Sequence, residues 1–379
     1  MKKVFLLSTI ICFSVVFAYS QDNRSRWDKL EKFFSPPAQF KNDTGTYKPL
    51  TNFYNGTPVA NPEDWPKRRE EIIKKWEGVI GKWPVSIKPP AVTVTYKKVE
   101  KTYTRYEVEV EVEKDIRVKT NVLVPNEYGP FPAVMVVYYD AETPIREKVI
   151  DKSRIPNREI PNVRGFALDL VNRGYVTMSV GFDPKQLKGI ETADGKILQP
   201  LHWLGFITER CRRYLATLPE VNQDKIAIMG HSYGGKWAMF ASCFNERFAC
   251  AVWCDPGIVF NEKDPNANYW EPWYLGYEKD KTRTSGIVTE ANPRTGAYKE
   301  LIAHGMDLNE IMALMAPRPF LVSGGEQDPI EHWKALNTVI PVYSLLEKYD
   351  KVALTQRFFH PPTKESNEEA YTFLDYILK

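Results

Sequence analysis

A serine between glycines, directly after a short apolar run, constrains this chain more than any other feature. Gly230-His231-Ser232-Tyr233-Gly234-Gly235 follows Ile226–Met229, and an apolar helical run begins at Lys236. A serine on a sharp strand-to-helix turn has strained backbone angles, and glycines two residues away on each side remove Cβ atoms that would clash there. The following helix directs the N–H groups of its first turn toward any anion that forms on the serine. The pattern therefore predicts a catalytic nucleophile, Ser232.

A serine nucleophile needs a general base, and the expected base is His360. This histidine follows the strand-like run Val352–Phe359 and precedes Pro361-Pro362, so it is predicted to lie in an irregular loop after a late strand. The order serine, acid, histidine favours a base near the end of the chain. The other four histidines are less suitable. His202 precedes the serine and His231 belongs to the turn itself. His304 precedes Asp328, the acid discussed next, and His332 lies four residues past it.

The expected acid is Asp328, because it lies in the loop after the buried strand predicted over Pro319–Ser323. A carboxylate there can accept a hydrogen bond from the second ring nitrogen of the histidine, which fixes the tautomer and stabilises the imidazolium. Two alternatives stay open: Glu326 shares this loop, and Asp255 ends the strand after the helix that follows Ser232, which we call the elbow helix. A structural role is also open for Asp328, as a cap of the helix predicted near Ile330.

Stabilising a tetrahedral oxyanion requires two hydrogen-bond donors. The expected pair is the backbone N–H groups of Tyr233, which follows the nucleophile, and Tyr139, in the loop after the buried strand that ends near Val137. Asp140 is an alternative backbone donor, and a hydroxyl of Tyr138 or Tyr139 is a further alternative.

Beyond residue 100, the hydrophobic pattern alternates between strands and helices. Tyr103–Glu113 alternates apolar and charged residues, which is typical of a half-exposed strand, and Ile116–Pro125 is its predicted partner. The other predicted strands are 131–139, 175–180, 226–229, 249–254, 319–323 and 352–359, and the predicted helices are 166–173, 203–218, the elbow helix, 308–314, 332–346 and 367–378. This order predicts an α/β fold with a mostly parallel sheet, helices on both faces and an antiparallel pair at its start. The three triad candidates then lie at the carboxyl edge, where such sheets bind ligands.

The chain is predicted to have three parts: a signal peptide over 1–20, an N-terminal extension over 21–100 and a catalytic domain over 101–379. Lys2-Lys3, an apolar run to Phe17 and a small-x-small site before Gln21 are typical of a secretory signal, so the mature protein is expected in the periplasm or outside the cell. The extension contains a predicted amphipathic helix that starts at Asp64.

Charge and composition argue against several partners. Without Lys2 and Lys3, the formal charge falls from +3 to about +1, which gives no electrostatic case for binding nucleic acid or a membrane. No spacing resembles a metal site, and no cofactor is expected. The oligomeric state stays open.

Four cysteines follow the predicted signal peptide: Cys211, Cys243, Cys250 and Cys254. An even number in an oxidising compartment allows disulfides without requiring them. On one strand, Cys250 and Cys254 would stand roughly 13 Å apart at ~3.3 Å per residue, too far to pair with each other. Bridges to Cys211 and Cys243 and buried free thiols both stay open.

Residues 256–304 form a long insertion that we expect to act as a lid over the carboxyl edge. Its segment 268–277 is the densest aromatic stretch of the chain. Aromatic faces beside polar groups bind sugar rings, so Tyr269, Trp270 and Trp273 are expected substrate contacts. Packing of the insertion against the rest of the protein would explain the same residues.

Over roughly residues 100–379 the chain resembles the α/β-hydrolase superfamily. Within it, the chain is similar to an exported bacterial branch that includes acetylxylan esterases, glucuronoyl esterases and dienelactone-hydrolase-like proteins. The resemblance rests on Gly230–Gly235, on Ala316-Pro317-Arg318-Pro319 before a strand that ends in Gly324–Asp328, and on His360. Where glucuronoyl esterases favour Cys-Ser-Arg at the elbow, this chain has His231-Ser232-Tyr233.

The resemblance implies a serine hydrolase that removes acetyl or methyl ester groups from polysaccharides or oligosaccharides through an acyl-enzyme. Two other functions stay open. One is a serine peptidase of the prolyl-peptidase type, and the other is a catalytically silent glycan-binding protein that uses the aromatic insertion.

Overall fold

A computed structural model describes residues 22–85, 88–148, 163–184, 187–192 and 195–379. The predicted signal peptide over 1–20 lies outside the described residues. The strands of the described residues, in chain order, are β1 Val92–Val99, β2 Tyr103–Glu113, β3 Ile116–Pro125, β4 Phe131–Tyr138, β5 Val176–Gly181, β6 Ile190–Glu191, β7 Ile197–Leu198, β8 Val221–His231, β9 Cys250–Cys254, β10 Phe320–Gly324 and β11 Val352–Gln356.

All of these strands except β6 and β7 form one mixed sheet in the order β1-β2-β3-β5-β4-β8-β9-β10-β11. The pairs β1–β2, β2–β3 and β3–β5 are antiparallel. The remaining neighbours in this sheet, β5-β4-β8-β9-β10-β11, run parallel to one another. The predicted α/β fold, with a mostly parallel sheet opened by antiparallel strands, is confirmed. β8, which leads into Ser232, lies near the middle of the sheet, between β4 and β9.

The helices of the described residues flank this sheet. They are α1 over 22–30, α2 Trp65–Ile80, α3 Phe166–Val171, α4 Pro200–Leu215, α5 Tyr233–Phe244, α6 Gly296–Ala303, α7 Asn309–Ala313, α8 Trp333–Leu345 and α9 Lys364–Leu378. Helix α2 of the N-terminal extension buries Ile72, Trp76 and Ile80 completely, in the same hydrophobic cluster as Met135 of β4. The extension is therefore packed against the sheet-bearing part of the chain.

Strand β1 was not predicted, and it places the start of the sheet before residue 101. Almost every side chain of Val92–Val99 is exposed, so the strand has no buried face, although Val92, Val94 and Tyr96 alternate with threonines in the sequence. Strand β2 does have one: Val108, Val110 and Val112 are buried while the glutamates between them reach the surface.

Two boundaries near the carboxyl terminus differ from the predicted ones. Strand β11 ends at Gln356, three residues before the predicted end at Phe359. Helix α9 begins at Lys364, before the predicted start at Asn367. Its start is fixed by a capping box in which the Thr363 side chain accepts from the Ser366 N–H at 3.1 Å and the Ser366 hydroxyl accepts from the Thr363 N–H at 2.9 Å.

The four cysteines are buried free thiols, so the structure agrees with the second of the two alternatives for them. Burial raises the pKa of Cys211 and of Cys254 to about 12. Among the described residues, no helix is both long enough and apolar enough to cross a membrane.

Candidate active site

Ser232 occupies a strained turn between β8 and α5. Its φ of 58° and ψ of −116° lie outside the conformations that side-chain-bearing residues favour. The surrounding glycines permit this turn: a Cβ on Gly230 would lie 2.2 Å from the Gly234 carbonyl oxygen, and a Cβ on Gly234 would lie 2.1 Å from that of Val137. The turn thus has the backbone geometry that the sequence predicts for a nucleophile elbow.

His360 connects Ser232 to a buried carboxylate. Its Nε2 lies 2.9 Å from Ser232 Oγ, and its Nδ1 lies 2.6 Å from Asp255 Oδ2. With the proton on Nδ1, the imidazole donates to Asp255 and accepts from the serine hydroxyl, which is the arrangement needed to remove the serine proton. His360 is 22% exposed and Asp255 is fully buried.

The prediction that Asp328 is the acid beside His360 is wrong, because its carboxylate points into the neighbouring loop. It accepts from the backbone N–H groups of Gly257 at 2.7 Å and Ile258 at 2.6 Å, and it lies 3.0 Å from His332 Nδ1. The alternative Glu326 is exposed. Asp255, the other alternative from the sequence, occupies the acid position.

The loop after β10 holds the Asp255 carboxylate in place. Asp255 Oδ1 accepts from the backbone N–H groups of Gly325 at 2.7 Å, Gln327 at 3.1 Å and Asp328 at 2.9 Å, which leaves Oδ2 for His360. A Cβ on Gly325 would lie 2.7 Å from Oδ2, so the close approach requires a glycine. Asp255 itself has a φ of 50°, and this left-handed conformation helps aim its side chain.

Arg357 fixes the loop that carries His360, and sequence reasoning missed it. Its guanidinium donates to the carbonyl oxygens of His360 at 2.6 Å, Pro361 at 2.9 Å and Ser323 at 2.7 Å. The same group lies 3.8 Å from Asp255 Oδ2. The available signal was an arginine directly after a buried strand, where an unpaired charge would be costly.

His231, the residue before the nucleophile, contacts the same loop. Its Nε2 lies 3.0 Å from the His360 carbonyl oxygen, and its Nδ1 lies 3.4 Å from Arg164 Nε. Burial, followed by the charges of His360 and Arg164, holds the pKa of His231 well below its usual value. A neutral His231 therefore donates from Nε2 to the loop and accepts from Arg164, which is a structural rather than a proton-transfer role.

The two predicted oxyanion donors lie beside the nucleophile. Tyr233 is the first residue of α5, so its N–H has no acceptor within the helix. The Tyr139 ring lies 4.7 Å from the Tyr233 ring, and its side chain is 40% exposed. Burial raises the pKa of the Tyr139 phenol, and the nearby Ser232 side chain opposes this rise. The Tyr139 side chain thus lies beside the nucleophile, and its role as an oxyanion donor, through its N–H or its hydroxyl, stays a prediction.

The aromatic segment of the insertion is packed into the protein. Tyr269 and Trp270 are each 1% exposed; the Tyr269 hydroxyl donates to the Gly257 carbonyl at 2.8 Å and Trp270 Nε1 donates to that of Gly286 at 2.8 Å. This burial contradicts the expected substrate contacts of these two residues and agrees with the packing explanation. Trp273 is only partly buried, and its substrate role stays a prediction.

The chain is similar to one protein family over part of its length and to several solved structures over most of it. The prolyl oligopeptidase family (Peptidase_S9) matches residues 209–329, which include the elbow and both aspartates. No curated protein sequence matches the chain significantly. A glucuronoyl esterase from Solibacter usitatus superposes with a TM-score of 0.67 at 18% identity, covering 88% of this chain and 99% of that one.

Two further solved structures are similar. A glucuronoyl esterase from Teredinibacter turnerae has a TM-score of 0.64 at 18% identity and covers 94% of this chain and 98% of its own. A putative acetyl xylan esterase from Bacteroides fragilis has a TM-score of 0.57 at 14% identity and covers 81% of this chain and 79% of its own. The chain has the α/β-hydrolase fold. Within this fold, the loops after β8, β9 and β11 bring a serine, a carboxylate and a histidine together at the carboxyl edge of the sheet.

Proposed function

We propose that the protein is a serine hydrolase of carboxylic esters. The observation that carries this proposal is the hydrogen-bonded series Ser232–His360–Asp255 at the carboxyl edge of the sheet. The strained elbow supports it, because strain of this kind is stored where function requires it.

In the proposed reaction, His360 Nε2 takes the proton of Ser232 as the serine oxygen attacks the ester carbonyl. Asp255 holds the imidazole in the productive tautomer and stabilises its positive charge. Collapse of the tetrahedral intermediate breaks the bond to the alcohol, which leaves with the proton from His360. Water then attacks the acyl-enzyme with the same base and releases the acid.

The Tyr233 N–H is proposed as one donor to the oxyanion, and Tyr139 as the other, through its N–H or its hydroxyl. Tyr139→Phe separates these possibilities because it keeps the backbone donor and removes the phenol. If the hydroxyl binds the oxyanion, kcat falls by about 10²–10³-fold with little change in KM. A kcat within threefold of wild type assigns the role to a backbone donor.

The substrate is proposed to be an acetyl or methyl ester on a polysaccharide or oligosaccharide. Similar solved proteins are described as glucuronoyl esterases, a putative acetyl xylan esterase and a methylesterase. The names of the glucuronoyl esterases and of the acetyl xylan esterase indicate an ester on a carbohydrate, and we extend that substrate class to this chain. Tyr233 after the nucleophile, in place of the arginine favoured by glucuronoyl esterases, leads us to place acetyl and methyl esters first.

Hydrolysis of 4-nitrophenyl acetate by wild type, Ser232→Ala and His360→Ala tests the chemistry. Both variants are expected to lose about a thousandfold or more in kcat. Activity that survives Ser232→Ala contradicts the proposed nucleophile. Release of acetate from acetylated glucuronoxylan and of methanol from methyl-esterified pectin then identifies the acyl or alkyl group.

A serine peptidase is the second candidate, because the family that matches residues 209–329 is that of prolyl oligopeptidase. The triad would serve amide hydrolysis equally well. Cleavage of a prolyl 4-nitroanilide with a larger kcat/KM than that of any ester would establish this alternative.

We also propose that the protein is exported, on the basis of the apolar amino-terminal segment that ends before Gln21. Expression of the full chain in a bacterial host is expected to yield a periplasmic or secreted product that begins at Gln21. A product that retains Met1 and stays in the cytoplasm contradicts export.

A further inference from the structure

Two exposed phenylalanines lie in the loop that carries His360. Phe358 is 85% exposed and Phe359 is 58% exposed, and their rings meet edge to face with centroids 4.9 Å apart at 82°. Strand β11 ends at Gln356, so both residues belong to the short segment between the strand and the proposed base. Transfer of apolar side chains out of water normally lowers the free energy, so folding alone does not explain an exposed pair.

The backbone beneath the two rings is held firmly. Arg357, on their amino-terminal side, donates to the carbonyl oxygens of Ser323, His360 and Pro361. The Phe359 carbonyl oxygen lies 2.7 Å from the position of a Cβ on Gly325, so the loop packs tightly on the loop that holds Asp255. The rings therefore project into solvent from a fixed backbone, and binding a ligand would cost little ordering entropy.

The two phenylalanines lie next to the proposed catalytic base in the sequence. Consecutive Cα atoms stand about 3.8 Å apart, so Phe359 borders the proposed base directly. Two of the three aromatic residues that the sequence suggested for sugar binding, Tyr269 and Trp270, are buried and unavailable, and the third, Trp273, is partly buried. The substrate of a glycan esterase extends beyond its ester on either side, and it needs apolar surface for the faces of its sugar rings.

We propose that Phe358 and Phe359 form a stacking surface for the glycan chain that bears the scissile ester. This inference rests on the proposed ester hydrolysis and adds the place where the carbohydrate is held. The occupant is a neutral or weakly charged pyranose chain, bound through C–H contacts on its ring faces.

Binding is tested without turnover in a Ser232→Ala background, by electrophoresis in gels that contain acetylated glucuronoxylan or methyl-esterified pectin. At least one glycan is expected to retard Ser232→Ala, and adding Phe358→Ala and Phe359→Ala is expected to weaken that affinity by about tenfold. Tyr349→Ala is the matched control, because Tyr349 is 64% exposed but precedes β11 and so lies at the opposite end of the same strand. Failure of both glycans to retard Ser232→Ala, or equal retardation with and without the phenylalanines, overturns the proposal.

Kinetics separate a binding surface from a disturbed base. The kinetic measure is kcat/KM on the retarding glycan divided by kcat/KM on 4-nitrophenyl acetate, in enzymes that keep Ser232. This ratio is expected to fall about tenfold in Phe358→Ala/Phe359→Ala. It is expected to recover in Phe358→Trp/Phe359→Trp. An unchanged ratio overturns the proposal, as does a dimer that the alanine variant converts to monomer with the ratio intact. If the wild-type protein binds a glycan but hydrolyses neither the glycan ester nor 4-nitrophenyl acetate, the proposed function is contradicted and the stacking surface is still supported.

Discussion

Two buried aspartates lie at the carboxyl edge of adjacent strands, and only one of them meets the histidine. Asp255 follows β9, Asp328 lies in the loop after β10, and both are fully buried. Each accepts hydrogen bonds from the backbone of the other's loop: three N–H groups for Asp255 and two for Asp328. Their remaining contacts differ, because Asp255 faces His360 and Asp328 faces His332.

The comparison teaches that residue type and strand position do not determine which carboxylate serves the base. That choice depends on how the two loops exchange hydrogen bonds and on the left-handed backbone of Asp255. We infer that Asp328 is a positioning residue, which holds the loop of Asp255 through the N–H groups of Gly257 and Ile258.

The largest effect is expected for Asp255→Asn. An amide favours the wrong imidazole tautomer and cannot stabilise the imidazolium, so kcat on 4-nitrophenyl acetate should fall by about 10⁴-fold. Glu326→Gln is the control, since this exposed acid lies in the neighbouring loop, and its kcat should match wild type. A loss below tenfold in Asp255→Asn would show that another group orients His360.

Asp328→Ala is expected to act mainly on stability. It leaves two buried N–H groups without an acceptor, at a cost of about 4 kcal/mol in the free energy of unfolding. Urea unfolding measures this change, and kcat of the folded variant should stay at least a hundredfold above that of Asp255→Asn. The reverse order of kcat values would make Asp328 the acid and Asp255 the brace.

Lys236 carries a buried positive charge near both aspartates, and it gives a pH-dependent test. The side chain is 1% exposed and donates to the Pro256 carbonyl at 2.6 Å. Burial lowers its pKa to about 8 from 10.5, an effect opposed by Asp328 and Asp255. Between these two values the unfolded chain binds more protons than the folded one, so the contribution of Lys236 to stability rises with pH across that window and is smallest below pH 8.

The expected gain over this window is about 3 kcal/mol. Urea unfolding at pH 8 and at pH 10.5 should show this extra stabilisation in wild type relative to Lys236→Met. Parallel pH dependences in the two proteins would mean that Lys236 is already neutral, or still fully charged, across the window.

The smallest effect is expected for His332→Phe. The change removes one hydrogen bond to Asp328 and leaves its two backbone donors in place, so the free energy of unfolding should fall by about 1 kcal/mol. Because His332 does not contact the triad, kcat should stay within twofold of wild type. A hundredfold loss of kcat would connect Asp328 to the chemistry instead of to the loop.

Much of the fold was predictable because its signals are local. The alternation in β2, the continuous apolar run of β4 and the glycines around Ser232 each reflect constraints within a few residues. Strand β1 was not predicted, although Val92, Val94 and Tyr96 alternate with threonines and so give a local signal of the same kind as in β2.

The site was predictable only in part, because its remaining features depend on contacts between distant segments. Ser232 and His360 follow the ends of β8 and β11, and the end of a strand can be predicted from local sequence. The choice between Asp255 and Asp328 instead depends on hydrogen bonds between two loops about 70 residues apart in the chain. The same limit applies to Tyr269 and Phe358: sequence shows that both are aromatic, and only the folded chain distinguishes the buried one from the exposed one.

The most direct test of the central claim is the proton magnetic resonance of the hydrogen bond between His360 Nδ1 and Asp255, observed with ¹⁵N-labelled histidine. A strongly downfield signal is expected in wild type, lost in His360→Ala and Asp255→Asn and retained in Asp328→Asn. A signal that survives Asp255→Asn and disappears in Asp328→Asn would contradict the account and restore Asp328 as the acid.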